Sequence, residues 1–181
     1  AVVGVVALEL GTGEMHVWRM NADGSSQTKI TDKNGGMPMF ASPDGLFLYY
    51  LHGKDRTLWR VSTAGGGEQL ILKKEKNRFA ISPDGSTIVY GEKQGEEKFF
   101  ILASVANGQM TRKIKYPNAT MRMHEIAFLP DGKSLIYILS DGNFSNYSLW
   151  IQTIDKIEPP HKITDLGNEE VTSFAVSPDG K

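Results

Sequence analysis

Short apolar stretches recur along the chain, and each runs straight into a tight turn. Met39-Phe40-Ala41, Phe79-Ala80-Ile81, Ile126-Ala127-Phe128 and Phe174-Ala175-Val176 precede Ser42–Gly45, Ser82–Gly85, Leu129–Gly132 and Ser177–Gly180. The turn reads Ser-Pro-Asp-Gly three times, and Leu129 replaces the serine in the remaining copy. Second apolar stretches follow at Leu46–Leu51, Thr87–Tyr90 and Leu135–Leu139. The pattern predicts strand, turn, strand, with a period of 40 to 48 residues. A fixed period in this range marks a repeat architecture.

The turn residues carry their own mechanism. Pro43, Pro83, Pro130 and Pro178 fix φ for the first central position of a type I turn. Asp44, Asp84, Asp131 and Asp179 suit the second. Gly45, Gly85, Gly132 and Gly180 take the left-handed conformation that joins antiparallel strands through a bulge.

Each unit reads as four strands. Strand A precedes the turn and strand B follows it. Strand C carries an aromatic, with Trp18, Trp59, Phe100 and Trp150 in corresponding places. Strand D closes the unit at Thr28–Thr31, Gln69–Leu72, Arg112–Ile114 and Lys162–Thr164. Strand B is apolar on both faces: Phe47, Tyr49 and Leu51 on one, Leu46, Leu48 and Tyr50 on the other. Such a strand needs cover on both sides. Strand D is more polar, as an edge near solvent should be. No segment sustains a helical period with caps. The pattern predicts an all-β protein, a β-propeller of four-stranded antiparallel blades. The blade units run over about 1–31 with 171–181, then 37–73, 77–116 and 122–165. Glu92–Lys98 reads as a solvated loop between strands B and C.

About four blades are present, three complete and one split between the termini. Ala1–Thr31 reads as strands B, C and D, and Val171–Lys181 as a strand A with its turn. The chain is therefore expected to be an excerpt of a larger propeller. The alternative pairs Val171–Ser177 with the N-terminal strands and closes a four-bladed ring.

Composition narrows the function classes. Hydrophobic residues make up 40% and charged residues 23%, the balance of a globular chain. Lys plus Arg is 20 against 21 for Asp plus Glu, so the basic excess expected of a nucleic-acid binder is missing. Cysteine is absent, which excludes disulfides and thiolate metal sites. No apolar run approaches the roughly 20 residues of a membrane span. Ala1–Leu8 is short and lacks a basic flank, so it reads as a strand.

Phe-Ala-(Val/Ile)-Ser-Pro-Asp-Gly, an apolar strand, an aromatic strand C and then Lys-Ile-Thr resemble the WD40-like PD40 repeat of the TolB-like propellers. The resemblance covers essentially the whole chain. It implies a bacterial, non-catalytic scaffold that binds a protein or peptide, without cofactor. The same repeat is similar to propellers attached to prolyl-oligopeptidase-type peptidases, to propeller lyases and to sensor propellers of bacterial regulators, so those are the alternatives. By resemblance alone the compartment is periplasmic or otherwise extracytoplasmic. The oligomeric state stays open.

The loops leading into strand A and the loops between strands B and C crowd one mouth of a propeller. Arg78, His124 and Glu125 lead into strand A and are the candidate partner-binding set, joined by His52 and Arg56 from a B–C loop. A bland alternative makes them ordinary loop-proximal polar residues. Asp141-Gly142-Asn143 lacks the acidic spacing of a calcium loop. The four histidines form no His-Glu-x-x-His pair, and there is no nucleophile elbow or phosphate loop. No catalytic or metal-ligating residue is assigned. The matched places of Trp18, Trp59 and Trp150 predict packing between blades rather than a stacking platform for a ligand.

Overall fold

The computed structural model describes residues 2–8, 14–32, 35–53, 55–73, 78–156, 158–164, 169–171, 173–177 and 179–180. Every regular element among them is a β-strand. The first sheet is β1 (Val2–Leu8), β2 (Met15–Asn21) and β3 (Thr28–Lys29), in that order. Three four-stranded sheets follow, also in chain order. They are β4 (Gly36–Ala41), β5 (Phe47–His52), β6 (Leu58–Ser62) and β7 (Gln69–Leu72); then β8 (Phe79–Ile81), β9 (Thr87–Gln94), β10 (Glu97–Ser104) and β11 (Met110–Lys115); then β12 (Arg122–Phe128), β13 (Ser134–Ser140), β14 (Ser148–Thr153) and β15 (His161–Lys162). All ladders are antiparallel. These are propeller blades, as the repeat predicts.

The turns form for the reason their residues give. Gly45 N–H donates to Ser42 O at 2.8 Å and Gly45 sits at φ 72°. Ser42 Oγ donates to Asp44 Oδ1 and accepts Phe47 N–H at 2.9 Å. The second turn repeats this, with Gly85 N–H to Ser82 O at 2.8 Å and Thr87 N–H to Ser82 Oγ at 2.9 Å. Gly132 and Gly180 close their turns on Leu129 O and Ser177 O. Pro178 lies outside the described residues.

The chain divides into two compact units, Ala1–Asn77 and Arg78–Lys181. Within the first, Val17 and Ile30 of the first sheet pack on Leu48, Tyr50 and Val61 of the second, with Trp59 against them. Within the second, Ala80, Val89, Phe100 and Leu102 meet Ile126, Phe128, Leu135, Tyr137 and Leu139, and Trp150 packs on the same core. Phe100 lies 4.3 Å from Tyr116 and 4.6 Å from Tyr137, ring centre to ring centre. Phe100 and Trp150 thus pack where strand C aromatics are predicted to pack. The two-sided strands are covered on both faces: Tyr49, Tyr50 and Leu51 in β5, and Leu135, Tyr137, Ile138 and Leu139 in β13, are at most 2% exposed.

One expectation is corrected. Glu92–Lys98 is not a loop. The β9–β10 ladder runs through Lys93↔Lys98 to Gln94↔Glu97, leaving a two-residue turn at Gly95-Glu96. Gly95 takes φ 60°, which such a tight hairpin loop assigns to glycine. The polar side chains mislead because they sit in water while their backbone is paired. Lys113 of β11 reaches past β10 to Gln94 of β9, and Lys115 reaches Glu97 across the outer ladder.

Residues 173–177, expected as a strand A, form no ladder among the described residues. The Phe174 N–H instead donates to Glu125 Oε2 at 3.0 Å.

Candidate functional site

His124 owes its position to a bulge. Met123 pairs with Leu139 and Glu125 with Ile138, which leaves His124 as the extra residue of β12. A bulge of this kind re-aims one side chain and bends the strand. His124 Nε2 lies 2.7 Å from Ser140 Oγ, and that hydroxyl donates to Asp141 O at 3.1 Å. A hydroxyl has one proton to give, so Nε2 carries the hydrogen and donates to Ser140. The ring stands 4.9 Å from Tyr147 and edge-on to Phe144 at 5.9 Å. Burial holds the His124 pKa below its usual value. The positive charges of Arg78 and Arg122 add to this, and Glu170 opposes it.

Phe144 is presented by the loop that joins β13 to β14. Asp141 Oδ1 accepts the N–H groups of Asn143 at 2.9 Å and Ser145 at 3.0 Å. Its Oδ2 accepts Ser145 Oγ and Asn146 Nδ2, each at 2.8 Å. These donors hold the Asp141 carboxyl at about 2. With its oxygens committed to N–H and O–H groups, Asp141 builds the loop rather than a cation site. Phe144 and Asn146 take φ 58° and 53°, in the left-handed region. Phe144 stays 56% exposed, and the Arg122 guanidinium covers its ring at 4.4 Å.

Arg78, His124 and Glu125 all belong to the second unit, and the charge of Arg78 acts on His124. Arg78 is exposed at the start of the described β8 segment. Glu125 is engaged by the Phe174 backbone. His52 and Arg56 belong to the first unit and build a loop of their own. His52 Nδ1 donates to Asp55 Oδ1 at 2.8 Å, and Asp55 also accepts Thr57 N–H at 3.0 Å and Thr57 Oγ1 at 2.6 Å. The Thr57 bonds, with His52, bring the Asp55 carboxyl to about 2. Arg56 takes φ 51° and its N–H donates to His52 O at 3.0 Å. Asp55 and Asp141 therefore do the same job in two B–C loops. Lys54 and Asn77 lie outside the described residues.

The sequence reading did not single out Arg122, Phe144 or Ser140. The cation–ring contact joins two segments 22 residues apart. Nothing in a lone arginine or phenylalanine announces it. Among the described residues no group of three or more His, Asp or Glu side chains could hold a metal ion, and no helix is long and apolar enough to cross a membrane.

The chain is similar in structure to a putative TolB from Agrobacterium tumefaciens, with a TM-score of 0.74 at 16% identity over 99% of this chain and 68% of that one. It is likewise similar to TolB from Acinetobacter baumannii, with a TM-score of 0.71 at 16% identity over 99% of this chain and 45% of that one. A prolyl endopeptidase matches 92% of this chain with 28% of its own, at a TM-score of 0.67 and 11% identity. No protein-family model and no curated protein sequence matches the chain. At these identities the likeness establishes the fold, a TolB-like β-propeller. The chain spans less than half of the Acinetobacter protein and under a third of the peptidase.

Proposed function

We propose that the chain is a non-catalytic scaffold that binds a protein or peptide at the mouth where the strand A ends and the B–C loops meet. Its repeats are of the PD40 type. The observation that carries the reading is the cluster at the start of β12. An exposed aromatic is held by a dedicated hydrogen-bond network beside the Arg122 guanidinium and a histidine. The cluster contains no activated nucleophile and no acid–base pair at a reacting distance. Rigid loops bearing aromatic and arginine side chains are what binding surfaces use. Arg78, His124 and Glu125 make the contacts in the second unit, and His52 and Arg56 serve the first.

The test is a peptide-display selection on the immobilised chain. Selected peptides should lose about tenfold in affinity on the combined Arg78→Ala, His124→Ala variant. They should be unaffected by Arg112→Ala on β11, and all three proteins should melt alike. Equal binding to the combined variant would remove this site. The likeness to a prolyl endopeptidase supports a second reading, in which the segment is the propeller of a larger peptidase. A hydrolase domain in the same reading frame would establish it.

A further inference from the structure

Arg122 and Lys98 stand together in the second unit. Arg78 and Arg122 both act on His124, and Arg122 and Lys93 both act on Lys98. Lys98 Nζ is fixed by a 2.6 Å bond to Met121 O, next to Arg122. The local acids are Glu125, which is bonded to the Phe174 N–H, Glu170, and Asp141, whose oxygens are taken by its own loop, while Glu96 pairs with Lys93. Among the described residues neither Arg78 nor Arg122 has a carboxylate partner.

Arg122 is also oriented. Its Cζ lies over the Phe144 ring, 4.4 Å from the ring centre, and a guanidinium held there still offers N–H groups to a planar acceptor. The ring beneath it is 56% exposed and fixed in a left-handed backbone conformation by the Asp141 network. A fixed guanidinium edge beside an exposed ring matches a carboxylate next to an apolar side chain. Such a pair is found on a peptide.

We infer that Arg122 and Phe144 form a capture site for an acidic peptide segment, with a carboxylate pairing to the Arg122 guanidinium and an apolar side chain lying against the Phe144 ring. The inference rests on the proposed peptide-binding role and names the class of peptide. Charge-assisted pairing to arginine supplies the selectivity, and the salt dependence of surface charges supplies a signature.

The probe is a dye-labelled peptide of alternating glutamate and phenylalanine, compared by fluorescence anisotropy with its glutamine isostere on the whole chain. The acidic peptide should bind about tenfold more tightly than the isostere. Arg122→Gln should abolish most of that preference. Phe144→Ala should weaken both peptides, and added salt should weaken only the acidic one. Melting curves of the variants report whether each is folded. Equal binding of the two peptides, or an unchanged preference in Arg122→Gln, overturns the inference. If the isostere still binds and loses affinity in His124→Ala, peptide binding at this mouth stands and only the acidic preference falls. If neither peptide binds, both readings fall.

Discussion

Ser134 donates its hydroxyl to Asp131 Oδ2 at 2.9 Å, in the one turn whose leading serine is replaced by leucine. In two of the three turns that keep the serine, Ser42 and Ser82 donate to Asp44 and Asp84. The hydroxyl has moved from the first turn position to the strand that follows, and the aspartate keeps its donor. Asp131 Oδ1 also accepts Ser134 N–H at 2.9 Å, the role that the serine oxygen plays for Phe47 and Thr87. Ser134→Ala should therefore cost about 1 kcal/mol, the worth of one such bond. Adding Leu129→Ser should recover part of the loss. Urea denaturation followed by tryptophan fluorescence measures both. An additive result, with no recovery, would mean that the two hydroxyls are not interchangeable.

Gly91 is small because of Tyr116. A Cβ on Gly91 would run into Tyr116 Oη and come within 3.1 Å of Met123 Cε. Tyr116 is 6% exposed and packs on Phe100, so its hydroxyl has little room to withdraw. Gly91→Ala should destabilise by about 1–3 kcal/mol through overpacking. In a Tyr116→Phe background the penalty should shrink, since the clashing atom is gone. Gly45→Ala makes a control of a different kind. Nothing lies within 4 Å of its Cβ, and the cost of about 1 kcal/mol comes from φ 72° alone. Calorimetric melting of the four variants separates the two mechanisms.

These two cases show what the residue pattern reveals and what it hides. The turns were legible because proline, aspartate and glycine act locally, within four residues. The two-sided burial of β5 and β13 was legible because apolar alternation reports cover directly. The β9–β10 hairpin was hidden: Glu92, Lys93, Glu96 and Lys98 describe side chains in water and say nothing of the backbone pairing beneath them. The bulge at His124 depends on the register against Leu139 and Ile138, which no local motif sets. Arg122 meets Phe144 only once β12 and the Asp141 loop are side by side. His124 and Glu125 were legible as residues leading into strand A, but the Ser140 and Phe174 partners that fix them were not.

Acid should act on stability through two residues of opposite chemistry. His124 has a folded pKa below its ordinary 6.5, first through burial and then through Arg78 and Arg122. The unfolded chain therefore takes up that proton first. The stability associated with neutral His124 is complete above about pH 6.5 and declines as pH falls toward the depressed folded value. Asp55 is lowered from 3.8 to about 2 by its Thr57 and His52 bonds. Its contribution is present above pH 3.8 and is lost between there and about 2. Unfolding midpoints measured across this range should show a first decline that His124→Gln removes and a second that Asp55→Asn reduces, the remainder belonging to Asp141 and the turn aspartates, whose carboxyls are also held low. A first decline that survives in His124→Gln would assign it to another group.

Phe144 holds a backbone conformation that a bulky L-residue resists, and Asp141 is what holds it there. The left-handed region costs a non-glycine residue about 1–2 kcal/mol, while the ring gains its contact with Arg122. Comparing Phe144→Ala with Phe144→Gly separates these effects, because both lose the ring and only glycine loses the strain. The glycine variant should be more stable than the alanine variant by about 1 kcal/mol. Asp141→Ala removes the acceptor of four hydrogen bonds. Amide exchange at Asn143 and Ser145 should then accelerate by about tenfold or more, while Ile136 and Ile151 in the paired β13 and β14 exchange as before. Unchanged exchange at Asn143 and Ser145 would show that the loop keeps its shape without the carboxylate. Equal stability of the glycine and alanine variants would show that φ 58° at Phe144 stores no strain. If both predictions hold, the exposed ring is a placed feature of the surface, set at the start of β12 by a carboxylate that has no other task.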